Sequence, residues 1–201
     1  MRRWNAKDCP AMPWKNGGGI TTELAIAPEG ATLDNFDWRF SSAVVSSSGP
    51  FSHFAGIDRS LALLQGQALD LQVDSVSSLE LTPASAIFRF RGEQQVYATL
   101  AQATVVDLNV MTRRNRYSHQ LLRLSGSTSH EIQRQATLVL LYCLRGEGCI
   151  EIDDALVRMQ PGDLLMLERQ DKLDRLQLQC GAQDIFYVVH LAEIGKEHGG
   201  N

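Results

Sequence analysis

The chain has 201 residues, 44% hydrophobic and 21% charged, with a formal net charge of −4 and a pI near 5.7. That length suits one large domain or two small ones and buries a core without staples, so disordered, collagen-like and coiled-coil classes fall away. Mild acidity argues against a general nucleic-acid binder, which carries a basic excess or stripe, but leaves room for a small basic pocket.

The N-terminus runs Met1-Arg2-Arg3-Trp4-Asn5 and stays polar through Lys7 and Asp8, so no apolar signal core follows the basic residues. No stretch approaches the ~18 apolar residues of a membrane span. The expected address is the cytoplasm, with no membrane partner. Cys9, Cys143, Cys149 and Cys180 are scattered without a C-x-x-C and are expected to be reduced packing thiols rather than a Cys143–Cys149 disulfide or a two-cysteine metal site.

The first segment with more content than a fold requires is Met12-Pro13-Trp14-Lys15-Asn16-Gly17-Gly18-Gly19-Ile20, leading to Glu23. Three glycines permit positive φ and close approach of a ligand, and their amides suit an anion-binding nest. Lys15 supplies a cation beside them, and Asn16 an amide that both donates and accepts. The plainer reading is a turn before a strand starting at Ile20. No Gly-Lys-Ser/Thr follows, so this is not a P-loop.

Strand signals then dominate. The first is Trp38 to Ser46, closed by Ser47-Ser48-Gly49-Pro50. Arg39 and Ser41 share one face of it, and Trp38 and Phe40 the other. An arginine facing a barrel interior requires an anionic partner, whereas one facing solvent requires none, and the sequence leaves both faces open. Phe51 and His53 follow, and Asp58–Arg59 has the form of a surface ion pair. Further strands are expected at Leu61–Leu64, Ala68–Val73, Ala86–Phe90 and Val105–Met111, the last placing Asp107 and Asn109 on one face. The basic run Arg113-Arg114-Asn115-Arg116 is expected to be a solvated linker rather than a nucleic-acid contact. In the second half the strands are Thr137–Leu144, Cys149–Ile152, Leu164–Leu167, Leu173–Gln179 and Ile185–Leu191, before a frayed tail over Gly195–Asn201. Short strands at close spacing, with no sustained 3.6-residue period, predict an all-β sandwich or barrel.

A faint repeat organises these strands. Leu64-Gln65-Gly66 matches Leu144-Arg145-Gly146, an offset of 80, and Leu81-Thr82-Pro83 matches Met159-Gln160-Pro161, an offset of 78. Val105 to Val110 matches Phe186 to Leu191, an offset of 81. Near-equal offsets predict a duplicated β-domain, divided as 1–115 and 116–201. A strand ending at Gly-x-Gly, a second strand, then Pro161-Gly162-Asp163 and a third strand resembles the hairpin grammar of cupins. The expected fold is therefore two tandem cupin-like β-barrels, a bicupin with little helix. Metal binding needs three or four convergent donors, yet His53, His119, His130, His190 and His198 show no i, i+2 or i, i+4 pair. No metal and no cofactor are expected.

Taken together, Trp14-Lys15-Asn16-Gly17-Gly18-Gly19 with Glu23, Trp38-Arg39-x-Ser41, Gly49-x-Phe51-Ser52-x-Phe54-x-Gly56-x-x-Arg59, Leu64-x-Gly66 and Asp107-x-Asn109-x-Met111-Thr112-Arg113 resemble the HutD/Ves family over the first ~115 residues. The resemblance implies a metal-independent bicupin of bacterial histidine-utilisation operons, or of stress-induced proteins, that binds a small carboxylate such as formate, N-formylglutamate or urocanate and tunes that pathway. Lys15, Arg39 and Arg59 would match the ligand charge, because an arginine fork recognises a carboxylate. Asn16, Ser41 and Asn109 would hydrogen-bond it, Asp107 would orient an arginine, and Phe51 and Phe88 would wall the pocket. A homodimer through exposed strand edges is a further expectation, with no direct nucleic-acid contact. Two alternatives stand beside this one. The first is a metal-independent isomerase, epimerase or hydrolase using Asp107, Glu23 or His53 as acid or base, and the second is a structural interaction module.

Overall fold

Alternating polar and apolar residues, punctuated by Gly, Pro and Asp, build strands throughout the computed structural model, which describes residues 1–132, 138–152, 155–168, 171 and 176–195. The only helical element among them is a single 3₁₀ turn at Ala6–Asp8. The strands of the first half are β1 (Arg2–Asn5), β2 (Ala11–Pro13), β3 (Gly19–Ala27), β4 (Trp38–Val45), β5 (Gly49–Pro50), β6 (Ile57–Gln65), β7 (Leu69–Val73), β8 (Ser77–Leu81), β9 (Phe88–Arg91), β10 (Val96–Leu100) and β11 (Val105–Arg113). Those of the second are β12 (Tyr117–Ser125), β13 (Ser129–Glu131), β14 (Leu138–Arg145), β15 (Gly148–Ile152), β16 (Ala155–Met159), β17 (Asp163–Glu168), β18 (Leu176–Gln179) and β19 (Ile185–Glu193). Thr137 and the start of the expected strand at Leu173 lie outside the described residues, as does the tail beyond Gly195.

Two compact units result. In Cys9–Ser118, a six-stranded sheet ordered β2-β3-β4-β11-β6-β9 and a four-stranded sheet ordered β5-β10-β7-β8 form the barrel. The second unit combines a five-stranded sheet, β1-β17-β14-β19-β12, with a four-stranded sheet, β13-β18-β15-β16. Adding eight to each strand number turns β4-β11-β6-β9 and β5-β10-β7-β8 into β12-β19-β14-β17 and β13-β18-β15-β16, so the repeat in the sequence is a repeat in topology. The boundary differs from a cut at residue 115, because Met1–Asp8 belongs to the second unit. Strand β1 pairs antiparallel with β17, Arg2 opposite Met166 and Asn5 opposite Asp163, a partnership about 160 residues apart that local pattern cannot reveal.

Arg113 closes β11, and residues 114–116 form the turn that leads into β12, open to solvent at Asn115 and Arg116. Arg114 donates to Asp58 at 2.7 Å and to Glu93 at 3.0 Å, Arg116 to Asp37 at 2.6 Å, and Arg113 Nε to the carbonyl of Phe36 at 3.0 Å. Each arginine fastens a loop of its own unit. In the second unit the Pro161-Gly162-Asp163 turn is built as its residues require. Gly162 sits at φ +87°, in the left-handed region, and Asp163 accepts bonds from the Gln160 amide (2.9 Å), Arg3 (2.6 Å) and Asn5 (3.1 Å). All four cysteines are free, Cys143 and Cys180 buried. No helix among the described residues is long and apolar enough to cross a membrane.

Candidate functional site

Cross-strand register brings the polar residues of the first barrel together. Side chains directly opposite one another on paired strands share a face. Along β4, β11 and β6 the rows are Arg39–Met111–Arg59, Ser41–Asn109–Leu61 and Ala43–Asp107–Leu63. Strand β3 adds Glu23 opposite Ser41, and β9 adds Phe90 opposite Arg59 and Phe88 opposite Leu61. Leu61, Leu63, Phe90 and Val105 on this face pack with Leu69, Leu71, Leu81 and Val96 of the opposing sheet, so the face is the barrel interior. Both arginines point inward: Arg39 is 6% exposed and Arg59 7%. Asp58–Arg59 is accordingly not a surface pair. Asp58 turns out to meet Arg114, while Arg59 is buried.

The two guanidiniums are held differently. Arg39 donates through Nε to Glu23 at 2.8 Å and lies 3.4 Å from the Ser41 hydroxyl, a neutralised pair. Arg59 lies among aromatic rings, its Cζ 4.7 Å from the centroid of Phe90, 5.2 Å from Phe51 and 5.7 Å from Phe54, where ring quadrupoles attract a cation. Its Nη1 donates to the Ser52 carbonyl at 3.3 Å. Burial pushes the Arg59 pKa down to about 10, against the raising effect of Asp107 and with a lesser push down from Arg39. Asp107, 4% exposed, has its pKa pushed up to about 7 by burial, opposed by Arg59 and by a backbone hydrogen bond from Ala43.

Three buried polar atoms here have no partner: Arg59 Nε, Asp107 Oδ1 and Asn109 Oδ1. Buried polar groups are paired as a rule, and an unpaired one costs about 1–3 kcal/mol. One donor and two acceptors are thus left without partners on one barrel face. Around the buried Arg39, Ser41, Arg59 and Asp107 lie the half-buried Glu23, Phe51, Phe88 and Asn109, so the cluster is not sealed. Phe88 stacks on Phe90, ring centroids 4.9 Å apart. Phe90, Phe54 and the Ser52 carbonyl were not among the expected site residues. Phe90 was legible in principle, one strand-pair across from Arg59.

The glycine-rich segment is instead structural. Trp14 and Gly19 close the β2–β3 hairpin, the Trp14 amide donating to the Gly19 carbonyl at 2.9 Å. A Cβ on Gly19 would sit 2.6 Å from the Val44 carbonyl, which only glycine avoids. The Gly17 and Gly18 amides are taken within the turn, by the Trp14 carbonyl (3.0 Å) and by Asn16 Oδ1 (3.0 Å). Asn16 thus serves its own turn, and Lys15 is exposed. The structure gathers Arg39, Ser41, Phe51, Arg59, Phe88, Asp107 and Asn109, and leaves Lys15 and Asn16 on the hairpin tip. His53 is exposed.

Among the described residues no three His, Cys, Asp or Glu side chains are placed to hold a metal ion. The inner face offers two carboxylates, Glu23 and Asp107, of which Glu23 is taken by Arg39 at 2.8 Å, and a divalent cation beside two guanidiniums is repelled. These residues do not fit a metal. A surface groove does exist in the second unit, lined by Arg3, Leu156, Arg158 and Gln160. Arg3 there is already paired with Asp163 at 2.6 Å, and the groove has none of the buried unpartnered atoms found beside Arg59.

Residues 6–187 match the family model described as HutD. The chain belongs to the HutD family. Among its relatives, a 21.2 kDa protein in the hutC 3′ region of Pseudomonas putida is 38% identical, covering 87% of this chain and 90% of that one. A conserved protein of unknown function from Pseudomonas aeruginosa PAO1 superposes with a TM-score of 0.84 at 32% identity, covering 95% of this chain and 98% of its own. HutD from Pseudomonas fluorescens SBW25, solved in a formate condition, gives 0.80 at 29%, covering 96% and 99%. The cupin 2 barrel protein from Leptotrichia buccalis, at 7% identity and a TM-score of 0.57, shares the fold. HutD membership thus joins a cupin fold to a first-barrel interior that carries two buried arginines.

Proposed function

We propose that the barrel formed by Cys9–Ser118 binds a small carboxylate at Arg59 and Arg39, and that the protein is a metabolite-responsive accessory of histidine utilisation rather than a catalyst. The observation that supports this is the unpartnered Nε of a buried arginine. A carboxylate oxygen satisfies that donor with a charge-assisted bond, worth about twice a neutral one. The aromatic rings around Arg59 exclude water without competing for its protons. Formate, N-formylglutamate and urocanate are the first ligands to test, formate because the HutD of P. fluorescens was solved in a formate condition.

Calorimetric titration of the purified protein with each compound tests the reading. Binding by at least one of the three is expected. Replacing a hydrogen bond to a charged group costs about 1.5–3 kcal/mol, so Arg59→Met and Arg39→Ala should each weaken it by roughly 10- to 100-fold. Heat that neither substitution changes would place the ligand elsewhere. One observation favours an acid–base enzyme instead, namely Asp107 titrating near neutrality inside the site. Turnover of a histidine-pathway compound by the metal-free protein, lost in Asp107→Asn, would establish that alternative.

A further inference from the structure

We infer that carboxylate binding in the first barrel is coupled to the uptake of one proton by Asp107, so that Asp107 makes the site responsive to pH. The inference rests on the carboxylate-binding reading above and adds to it a second, separable event.

Two observations carry it. The first is charge. The ionisable side chains on the inner face around Asp107 are Glu23 from β3, Arg39 from β4, Arg59 from β6 and Asp107 from β11, two cations against two anions, while Arg113, at the end of β11 opposite Ile57, is turned to the Phe36 ring and to the carbonyls of Phe36 and Asp34. The side chains facing them from β9 are Phe88 and Phe90, and those from the opposing sheet are apolar, Leu69, Leu71, Val73, Leu79, Leu81, Val96 and Ala98. The cluster is neutral as it stands. An added anion leaves it one charge negative in a setting of low dielectric, where like charges raise each other's pKa strongly. A proton on Asp107 restores neutrality.

The second observation is the hydrogen-bond inventory. The unpartnered atoms are one donor, Arg59 Nε, and two acceptors, Asp107 Oδ1 and Asn109 Oδ1. A carboxylate brings acceptors only, so it satisfies Arg59 and increases the surplus of acceptors. Protonation converts Asp107 from an acceptor to a donor, which supplies the missing hydrogen without any rearrangement of the backbone. Glu23 does not serve this purpose, because its carboxylate already accepts from Arg39. The position of Asp107 on the titration scale, about 7 in the empty site, places the exchange within the physiological range.

Formate is the suitable probe, since it stays ionised throughout the range of interest. The full-length protein is titrated with formate at about pH 6, 7.5 and 8.5, each in two buffers of different ionisation heat, so that the buffer dependence counts protons. Near pH 8.5 roughly one proton per formate should be taken up, and near pH 6 clearly fewer, as Asp107 already holds it. The apparent Kd should weaken nearly tenfold between about pH 7.5 and 8.5. In Asp107→Asn the proton count falls to zero and the Kd becomes independent of pH. Formate binding with no buffer dependence and a flat Kd in the unmodified protein overturns the coupling and leaves carboxylate binding standing. Silence with formate, N-formylglutamate and urocanate at every pH overturns both. The proton count on the unmodified protein decides the matter even where Asp107→Asn does not fold.

Discussion

The two barrels share a strand order and differ in what they enclose. In the second, the rows across β14 and β19 are Val139–His190, Leu141–Val188 and Cys143–Phe186, and the core behind them is Ile150, Met159, Leu165, Leu178 and their neighbours. In the first, the corresponding rows across β6 and β11 are Arg59–Met111, Leu61–Asn109 and Leu63–Asp107. One topology therefore closes, among the described residues, on a mainly apolar interior that includes the half-buried His190, and on one holding two guanidiniums and two carboxylates. The fold does not need the charges. Since buried ion pairs are poor stabilisers beside apolar groups of equal volume, the first barrel keeps its charges at a cost, which is what the proposed carboxylate site would account for.

That comparison is broken most severely by giving the second barrel a charge of its own. Val139→Arg places a guanidinium at the position corresponding to Arg59, with neither an aromatic surround nor a carboxylate to receive it. An uncompensated buried charge costs about 3–5 kcal/mol, and urea denaturation should show a loss of that size. The reverse exchange is the next largest effect. Arg59→Met with Asp107→Asn removes charge and counter-charge together. Stability should be unchanged or raised by up to ~4 kcal/mol, while formate binding disappears. A large loss of stability in that double variant would mean that the first barrel depends on its charges after all.

Acidity separates the two units as well. Asp107 in the first has its pKa raised from 3.8 to about 7, burial being the chief cause. Its folded form therefore holds a proton more readily than its unfolded form. The stability it contributes is fully present below pH 3.8 and is lost as pH rises to about 7. Asp163 in the second unit is shifted down. Burial raises it, but the Gln160 amide, Asn5 and Arg3 together outweigh burial. Its contribution is present above the usual aspartate range and is lost as pH falls. Unfolding should show stability falling as pH rises between about 4 and 7 on account of Asp107, and falling as pH drops below about 4 on account of Asp163, each slope at most ~1.4 kcal/mol per pH unit. Asp107→Asn and Asp163→Asn should each remove one slope. The same sign for both would mean that one of the two carboxyl environments is misassigned.

Much of this was legible from period-2 patterning alone. Alternation puts Arg39 with Ser41 and Asp107 with Asn109, and the offsets near 80 residues expose the duplication. What alternation leaves undecided is which face turns inward. For Arg59 that depends on Phe51, Phe54 and Phe90 closing around it, and for Arg39 on Glu23, 16 residues away, partners that no strand pattern names. Strand β10, Val96–Leu100, and strand β12, Tyr117–Ser125, carry polar residues at every exposed position, which hides them among loops. Lys15 beside three glycines suits an anion nest on sequence alone, whereas the amides of Gly17 and Gly18 are committed within their hairpin, a bond pattern that sequence does not show. The partners of Arg114 lie 21 and 56 residues away, beyond the reach of any local motif.

Arg114 supplies the smallest test and the clearest contrast with Arg59 inside one unit. It binds two carboxylates, Asp58 and Glu93, where Arg59 hydrogen-bonds none. Glu93 in turn accepts from the Gly56 amide at 2.6 Å, so the network ties together the turns at 56, 93 and 114. Contact number would make Arg114 the more important arginine. Solvent reverses the ranking: its side chain is 37% exposed, as is that of Glu93, and Asp58 is 42% exposed. Water and salt screen such pairs, whose measured worth is about 0.2–1 kcal/mol. Arg114→Ala should cost no more than ~1 kcal/mol, less at high salt, and should leave formate affinity within about twofold. Arg59→Met should give the opposite pattern, a large loss of affinity from an arginine with no carboxylate partner. If Arg114→Ala instead abolished binding, the turns it fastens would belong to the site, and the boundary drawn around Arg39, Arg59, Asp107 and Asn109 would have to widen to include them.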